Sequence, residues 1–158
     1  LRLEPVALNE LVRSVLLRYM PKADAAGVDL GGEGLDDAVV VQADAALLEG
    51  ILGNLLDNAL RYGKAAQPRV TVTVSREGGD AVLAVIDNGP GISEQDAGQL
   101  RNRWTLGPAG QRLGEGTGLG LAIVSRYAEL LDARFSLDPA GAGPGLKASV
   151  RFKLASSF

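Results

Sequence analysis

Two asparagines four residues apart, Asn54 and Asn58, sit in the segment NLLDNALRYG. On a helix that spacing makes them neighbours on one face. Each amide offers a carbonyl oxygen suited to a hard cation and an NH2 group suited to phosphate or backbone oxygen. By helical angle the pair falls between Leu47 and Ile51, at the margin of an apolar stripe. A polar group left without a partner there costs about 1–3 kcal/mol. The pair reads either as two satisfied, partly exposed amides or as ligands. Tyr62, one turn beyond Asn58, supplies a ring with a polar tip, or simply a half-buried core tyrosine.

A second polar interruption follows the apolar run AVLAVI, in DNGPGI. Asp87 stands at the carboxyl end of a strand, where ligands bind in many α/β proteins. Its carboxylate could accept from the exocyclic amine of a base, and Gly89 and Gly91 allow close backbone approach just beyond it. The same residues also fit an ordinary turn after a strand. A third interruption, GEGTGLGLAIV, places Gly114, Gly116, Gly118 and Gly120 at every second position before a helix. Exposed amides at a helix N-terminus suit phosphate, although the same glycines could make a hinge. The spacing differs from GxxxxGK[ST], and no lysine follows. Jointly the three pieces compose a nucleotide site in which a carboxylate reads the base, amides hold Mg2+ and backbone cradles phosphates.

The elements that must carry these residues follow from periodicity. Leu8, Leu11, Val12, Val15, Leu16 and Tyr19 predict a helix from Leu8 to about Met20, capped by Asn9 or the preceding turn and stopped by Pro21. Val28–Leu30 and Ala38–Val41 read as short strands. Asp44 is the predicted cap of a helix from Leu47 to Tyr62, ended by Gly63. The alternation RVTVTVSR predicts a strand with valines 70, 72 and 74 on its buried face. Gly78-Gly79-Asp80 turns it into a hairpin with Ala81–Ile86. From Ser93 to Thr117 the pattern weakens, as in a functional lid. Leu119–Leu131 is helical again, and Arg134–Leu137 pairs with Leu146–Leu154 around DPAGAGPG. Hairpin-linked strands mixed with helices favour an α/β sandwich over a doubly wound parallel fold.

The 158 residues, 46% of them apolar, suit one compact soluble domain. Sixteen Lys plus Arg face nineteen Asp plus Glu without a basic cluster, which argues against nucleic-acid binding. No apolar run is long enough to span a bilayer. The opening LRLEPVALNEL reads as the continuation of a longer chain. Without cysteine there is no disulfide framework or thiolate nucleophile. Without histidine, imidazole acid-base chemistry and the commonest zinc ligand are absent, so a metal here should be a hard cation on oxygen or phosphate.

The ordered trio closely resembles the ATP-binding catalytic domain of bacterial sensor histidine kinases, a branch of the superfamily that includes gyrase B, Hsp90 and MutL. NLLDNALRY resembles the family's asparagine box. The likeness implies that Asn58 coordinates Mg2+ bridging ATP phosphates, Asn54 assists phosphate or metal placement, Arg61 approaches the phosphates and Tyr62 borders adenine. DNGPGI resembles the first glycine box, with Asp87 accepting from the adenine amine, Gly89 and Gly91 shaping the pocket and Ile92 packing on the base. GEGTGLGLAIV resembles the second, with Gly116, Thr117, Gly118, Leu119 and Gly120 lining the phosphates. QLRNRWTLG resembles the phenylalanine box: Trp104 fills its second aromatic position and Arg103 keeps the preceding arginine. Arg101 replaces the first phenylalanine, and Leu106 stands where a basic residue is frequent. Arg103 and Arg112 are candidate phosphate contacts.

The resemblance implies a Bergerat-type ATP-binding fold: a mixed, largely antiparallel sheet against a layer of about three helices, forming one domain over 1–158 with a mobile lid at about 93–117. It also implies Mg-ATP as ligand and transfer of the γ-phosphoryl group to a histidine on a separate, upstream dimerisation domain, then to a response-regulator aspartate. The ATPase branch carries Glu where Asn54 stands; an amide is a poor general base, so hydrolysis is not favoured and no catalytic base is assigned. The whole protein is expected to be a homodimeric inner-membrane sensor with this domain in the bacterial cytoplasm, and the isolated fragment a monomer. The alternatives are an anti-sigma-type serine protein kinase and a non-catalytic nucleotide-responsive domain.

Overall fold

A computed structural model describes residues 1–62, 65–89, 118–141 and 145–154. In chain order these form β1 (Glu4–Ala7), α1 (Leu8–Ala26), β2 (Asp29–Glu33), β3 (Val40–Ala43), α2 (Ala45–Tyr62), β4 (Arg69–Glu77), β5 (Asp80–Asp87), α3 (Gly118–Leu130), β6 (Arg134–Pro139) and β7 (Leu146–Lys153). The main sheet runs β2-β4-β5-β7-β6, and β1 pairs with β3 apart from it. Only β2 and β4 run parallel; the other neighbours in the main sheet are antiparallel. The helices pack against this sheet, α1 on β2 and β4, α2 on β5, and α3 on β6 and on α2. The fold is thus the expected mixed, largely antiparallel sheet with helices against it.

Alternation builds the core. Val70, Val72 and Val74 are at most 3% exposed, and Leu83, Val85, Ala148 and Val150 join them from the neighbouring strands. Burying each such side chain contributes about 1.5–3 kcal/mol relative to exposure. The intervening Thr71, Thr73 and Ser75 are half-buried or exposed. From the helices, Leu48, Ile51, Leu52, Leu55 and Leu56 of α2 and Val124 and Ala128 of α3 close the same cluster.

Several local expectations change. Helix α1 does not stop at Pro21 but continues to Ala26. Proline removes the bond to the carbonyl four residues back, that of Leu17, and Leu17 is 72% exposed, so water can meet that oxygen. The added turn buries Ala23 completely. Gly27 then ends the helix in the left-handed conformation, φ 72°, and Val28 N–H donates to the Ala23 carbonyl at 2.9 Å. Asn9 is not a cap, because the helix starts at Leu8. Its side chain is buried and accepts from Val39 N–H at 3.3 Å, tying α1 to the approach to β3. The partners of the two short strands, left open by the sequence, are separate: β2 extends the main sheet and β3 takes up β1, a strand the sequence pattern did not announce. Asp44 caps α2 as predicted, Oδ1 accepting from Ala46 N–H at 3.0 Å and Leu47 N–H at 3.3 Å. These bonds and one from Arg2 N–H, the largest cause, hold its carboxyl below the usual range.

Candidate functional site

Sheet register fixes where the three motifs lie. Asp87 closes β5, opposite Val70 near the start of β4 and Leu146 at the start of β7. Call this the upper end of the sheet; the Gly78-Gly79 hairpin marks the lower end. Helix α2 starts low, because β3 just before it bridges Val41 to Leu154, whose N–H donates to Gly79. Eighteen residues of helix rise about 27 Å, the length of β5, and the chain then enters β4 at the upper end. Helix α3 leads by three residues, 131–133, into β6 at Arg134, which pairs with Arg151 low in the sheet, whereas Pro139 meets Leu146 at the top. Its C-terminus is therefore low and its N-terminus, Gly118, high. The exit turn of α2, the carboxyl end of β5 and the first turn of α3 converge on one end of the sheet.

At that end Asp87 is 7% exposed. Burial pushes its pKa up, and the amides of Gly89 and Leu146 act against the shift. Gly89 N–H donates to Asp87 Oδ1 at 2.9 Å, and Gly89 is itself buried. Carboxylate, strand and turn thus form one backbone-held unit. Asn58 is 7% exposed on α2. Asn54, half-buried one turn earlier, donates from Nδ2 to the Gly50 carbonyl at 2.6 Å, so its NH2 group is engaged within its own helix. Arg61 is exposed near the end of α2.

The glycine spacing straddles a helix start. Gly118, Leu119 and Gly120 already belong to the first turn of α3, rather than all the glycines preceding the helix. Gly63, Gly91, Ile92, Arg103, Arg112, Gly116, Thr117 and the expected lid at 93–117 lie outside the described residues, as does the side chain of Tyr62.

Four contributors were not legible in the sequence. Asn88, beside Asp87, binds the backbone of 67–69 with its side chain. Gly145 has φ 133°, and a Cβ there would stand 2.3 Å from the Asp87 carbonyl oxygen. Gly50 faces Tyr127 of α3 so closely that a Cβ would lie 2.7 Å from the ring. Only the loop composition around Gly145 hinted at a special backbone; the other three depend on partners far away in sequence.

Among the described residues no group of three or more His, Cys, Asp or Glu side chains could hold a metal, and no helix is long and apolar enough to cross a membrane.

Comparison with known proteins agrees with this geometry. Residues 43–156 match the family described as histidine kinase-, DNA gyrase B-, and HSP90-like ATPase, a span that runs from β3 through α2 and β5 to β7. The chain is 40% identical over 117 residues to the sensor protein BasS of Salmonella typhimurium, covering 74% of this chain and 32% of that protein. It is 35% identical over 146 residues to the sensor protein kinase PmrB of Pseudomonas aeruginosa, covering 92% and 30%. It therefore spans about a third of the length of these curated relatives. Among solved structures, full-length ShkA in complex with AMPPNP superposes with a TM-score of 0.81 at 26% identity, over 99% of this chain and 32% of that one. With a buried acid closing the central strand, an amide-bearing helix beside it and a glycine-started helix packed on that helix, the chain belongs to the histidine kinase-, gyrase B- and HSP90-like ATPase family, as an ATP-binding catalytic domain of the histidine kinase type.

Proposed function

We propose that this domain binds Mg-ATP at the upper end of the sheet and presents the γ-phosphate to a histidine on a separate dimerisation domain of the same protein. The observation that carries this reading is the convergence of Asp87, the Asn58 turn of α2 and the first turn of α3. Asp87 accepts from the exocyclic amine of adenine, and Gly89 and Gly91 bring the backbone close to the base, with Ile92 and Tyr62 bordering it. Asn54, Arg61, Arg103 and Arg112 orient the phosphates, and the run Gly116-Thr117-Gly118-Leu119-Gly120 lines them at a helix N-terminus, where negative charge is favoured.

The donor set fits magnesium. Asn58 offers a neutral amide oxygen, and the described residues hold no carboxylate cage, so a hard cation would draw its remaining ligands from phosphate and water, the habit of Mg2+. Asn58 would hold it, with Asn54 beside it. When bound, the ion neutralises charge on the triphosphate.

With no histidine in the chain, the acceptor imidazole comes from outside it. Its nitrogen forms the new N–P bond as the bond from the γ-phosphorus to the bridging oxygen breaks, and ADP leaves. Catalysis by this domain is then positioning and charge stabilisation. Asn54 stands where a water-activating base would be needed, and an amide has no useful proton affinity near neutral pH, so hydrolysis stays slow. The phosphohistidine passes its group to a response-regulator aspartate. The whole protein is, in this reading, a homodimeric sensor of the inner membrane with this domain in the cytoplasm; the names of BasS and PmrB support the sensor part of it.

Calorimetric titration with ATP tests it. Asp87→Ala removes a hydrogen bond to a charged group, a loss of about 1.5–3 kcal/mol or roughly 10- to 150-fold in affinity. Asn58→Ala should weaken binding mainly in the presence of Mg2+. A wild-type chain with no detectable affinity at millimolar Mg-ATP would overturn the assignment.

A further inference from the structure

Asn88 is exposed, so little burial holds it in place, yet both ends of its side-chain amide bind backbone. Oδ1 accepts from Arg69 N–H at 2.7 Å, and Nδ2 donates to the Gln67 carbonyl at 2.9 Å. Its own N–H donates to the Arg69 carbonyl at 3.3 Å. One residue thus engages three backbone groups of the segment leading into β4, immediately past the last β4–β5 pair of the ladder, Val70 with Asp87. On the β7 side, Gly145 lies under the same peptide: a Cβ there would come within 2.3 Å of the Asp87 carbonyl oxygen and 3.4 Å of Asn88 Cα.

We propose that Asn88 is a positioning residue that gives the site its preference for adenine, by fixing the peptide whose N–H holds the Asp87 carboxylate in its aim. The chain of contacts is short. Residues 67–69 hold Asn88, Asn88 sets the direction of the Gly89 N–H, and that N–H holds Asp87 Oδ1 at 2.9 Å. The Leu146 amide is the carboxylate's other backbone donor, and with the Gly89 donor displaced, rotation about the terminal torsion is soft. Gly145 is the seat that lets the preceding peptide, Asp87–Asn88, sit this low against β7. The inference rests on the base-reading role proposed for Asp87 and adds what aims it.

ATP and ITP separate aim from general integrity. Both carry the same triphosphate and ribose, but the inosine base has a carbonyl where adenine has its amine, so only ATP can donate to Asp87 from the exocyclic position. The wild-type chain should bind Mg-ATP more tightly than Mg-ITP. In Asn88→Ala, affinity for ATP should fall about tenfold, equivalent to about 1.4 kcal/mol, while affinity for ITP stays within about twofold. Asn88→Asp, which keeps the acceptor for Arg69 N–H and loses the donor to Gln67, should fall between. Thermal melts run in parallel show that each variant is folded; should Asn88→Ala fail to fold, the ATP-to-ITP ratio of Asn88→Asp decides. An unchanged ratio, or an equal loss for both nucleotides, overturns the role of Asn88 and leaves the nucleotide site standing. A wild-type chain that binds ATP and ITP equally overturns base reading by Asp87, and this inference with it.

Discussion

The upper end of β5 and the middle of α2 both carry polar side chains against the apolar core, and they satisfy them differently. Asp87 is held by the amides of Gly89 and Leu146; the Asn88 side chain grips the backbone of 67–69, and the Asp87–Asn88 peptide is seated on Gly145. Asn54 is held by the Gly50 carbonyl one turn back in its own helix. The acid is placed by three strands, and the amide by local geometry that any helix supplies. A buried carboxylate needs converging donors because burial raises its cost, whereas a half-buried amide needs only one nearby carbonyl. The end proposed to read the base should accordingly respond to distant backbone changes, and the amide end chiefly to its own replacement.

The largest effect that tests this contrast comes from Gly50→Ala. Alanine gains about 1 kcal/mol of helix propensity over glycine, but the new Cβ meets the Tyr127 ring at 2.7 Å, and overpacking of that kind costs about 1–3 kcal/mol. Urea unfolding should show a net loss of roughly 1 kcal/mol, partly recovered by pairing the change with Tyr127→Leu. Because the Asn54 bond to Gly50 uses backbone, ATP affinity of the folded variant should stay within about twofold of wild type. A large loss of affinity would mean that the placement of Asn54 depends on α3.

A pH series on Asp87→Asn sharpens the other half. The native pKa of Asp87 is raised by burial, so its contribution to stability is complete below the unfolded carboxylate pKa of about 3.9 and is lost as pH rises through the native value. The unfolding free energy of Asp87→Asn relative to wild type should shift in the variant's favour as pH is taken from below about 4 to 7. A difference that stays flat with pH would show that the carboxylate is not under strain from burial.

The smallest stability change belongs to Asn54→Ala. It removes a side-chain bond to the Gly50 carbonyl and installs a better helix former, so unfolding should move by no more than about 0.5 kcal/mol. The gain in ATP affinity on adding Mg2+ should shrink, a readout that stability alone would not move.

Much of this protein could be read in one dimension. The alternating valines of β4 and the leucine stripe of α2 named their own buried faces, because pleat and helix periods are properties of the local chain. The Asp44 cap was equally legible, since its partners are the amides two and three residues on, those of Ala46 and Leu47. Pro21 misled, because whether a lost hydrogen bond matters depends on whether Leu17 faces water. The partners of β2 and β3 could not be assigned from the sequence, and β1 was missed, because short strands carry no record of their neighbours.

The sequence by itself determined the kinds of groups available, an acid at a strand end, two amides on a helix and glycines at a helix start, together with the absence of a histidine acceptor. Tertiary structure alone decided that the end of β5, the last turns of α2 and the first turn of α3 lie at one end of a sheet, that Asn88 reaches back to 67–69, and that Gly145 and Gly50 must lack a side chain. The physical reason is range: periodicity and capping act over a turn or two of chain, whereas the direction of a buried carboxylate is fixed by donors from strands about sixty residues apart in sequence, whose meeting depends on the sheet register.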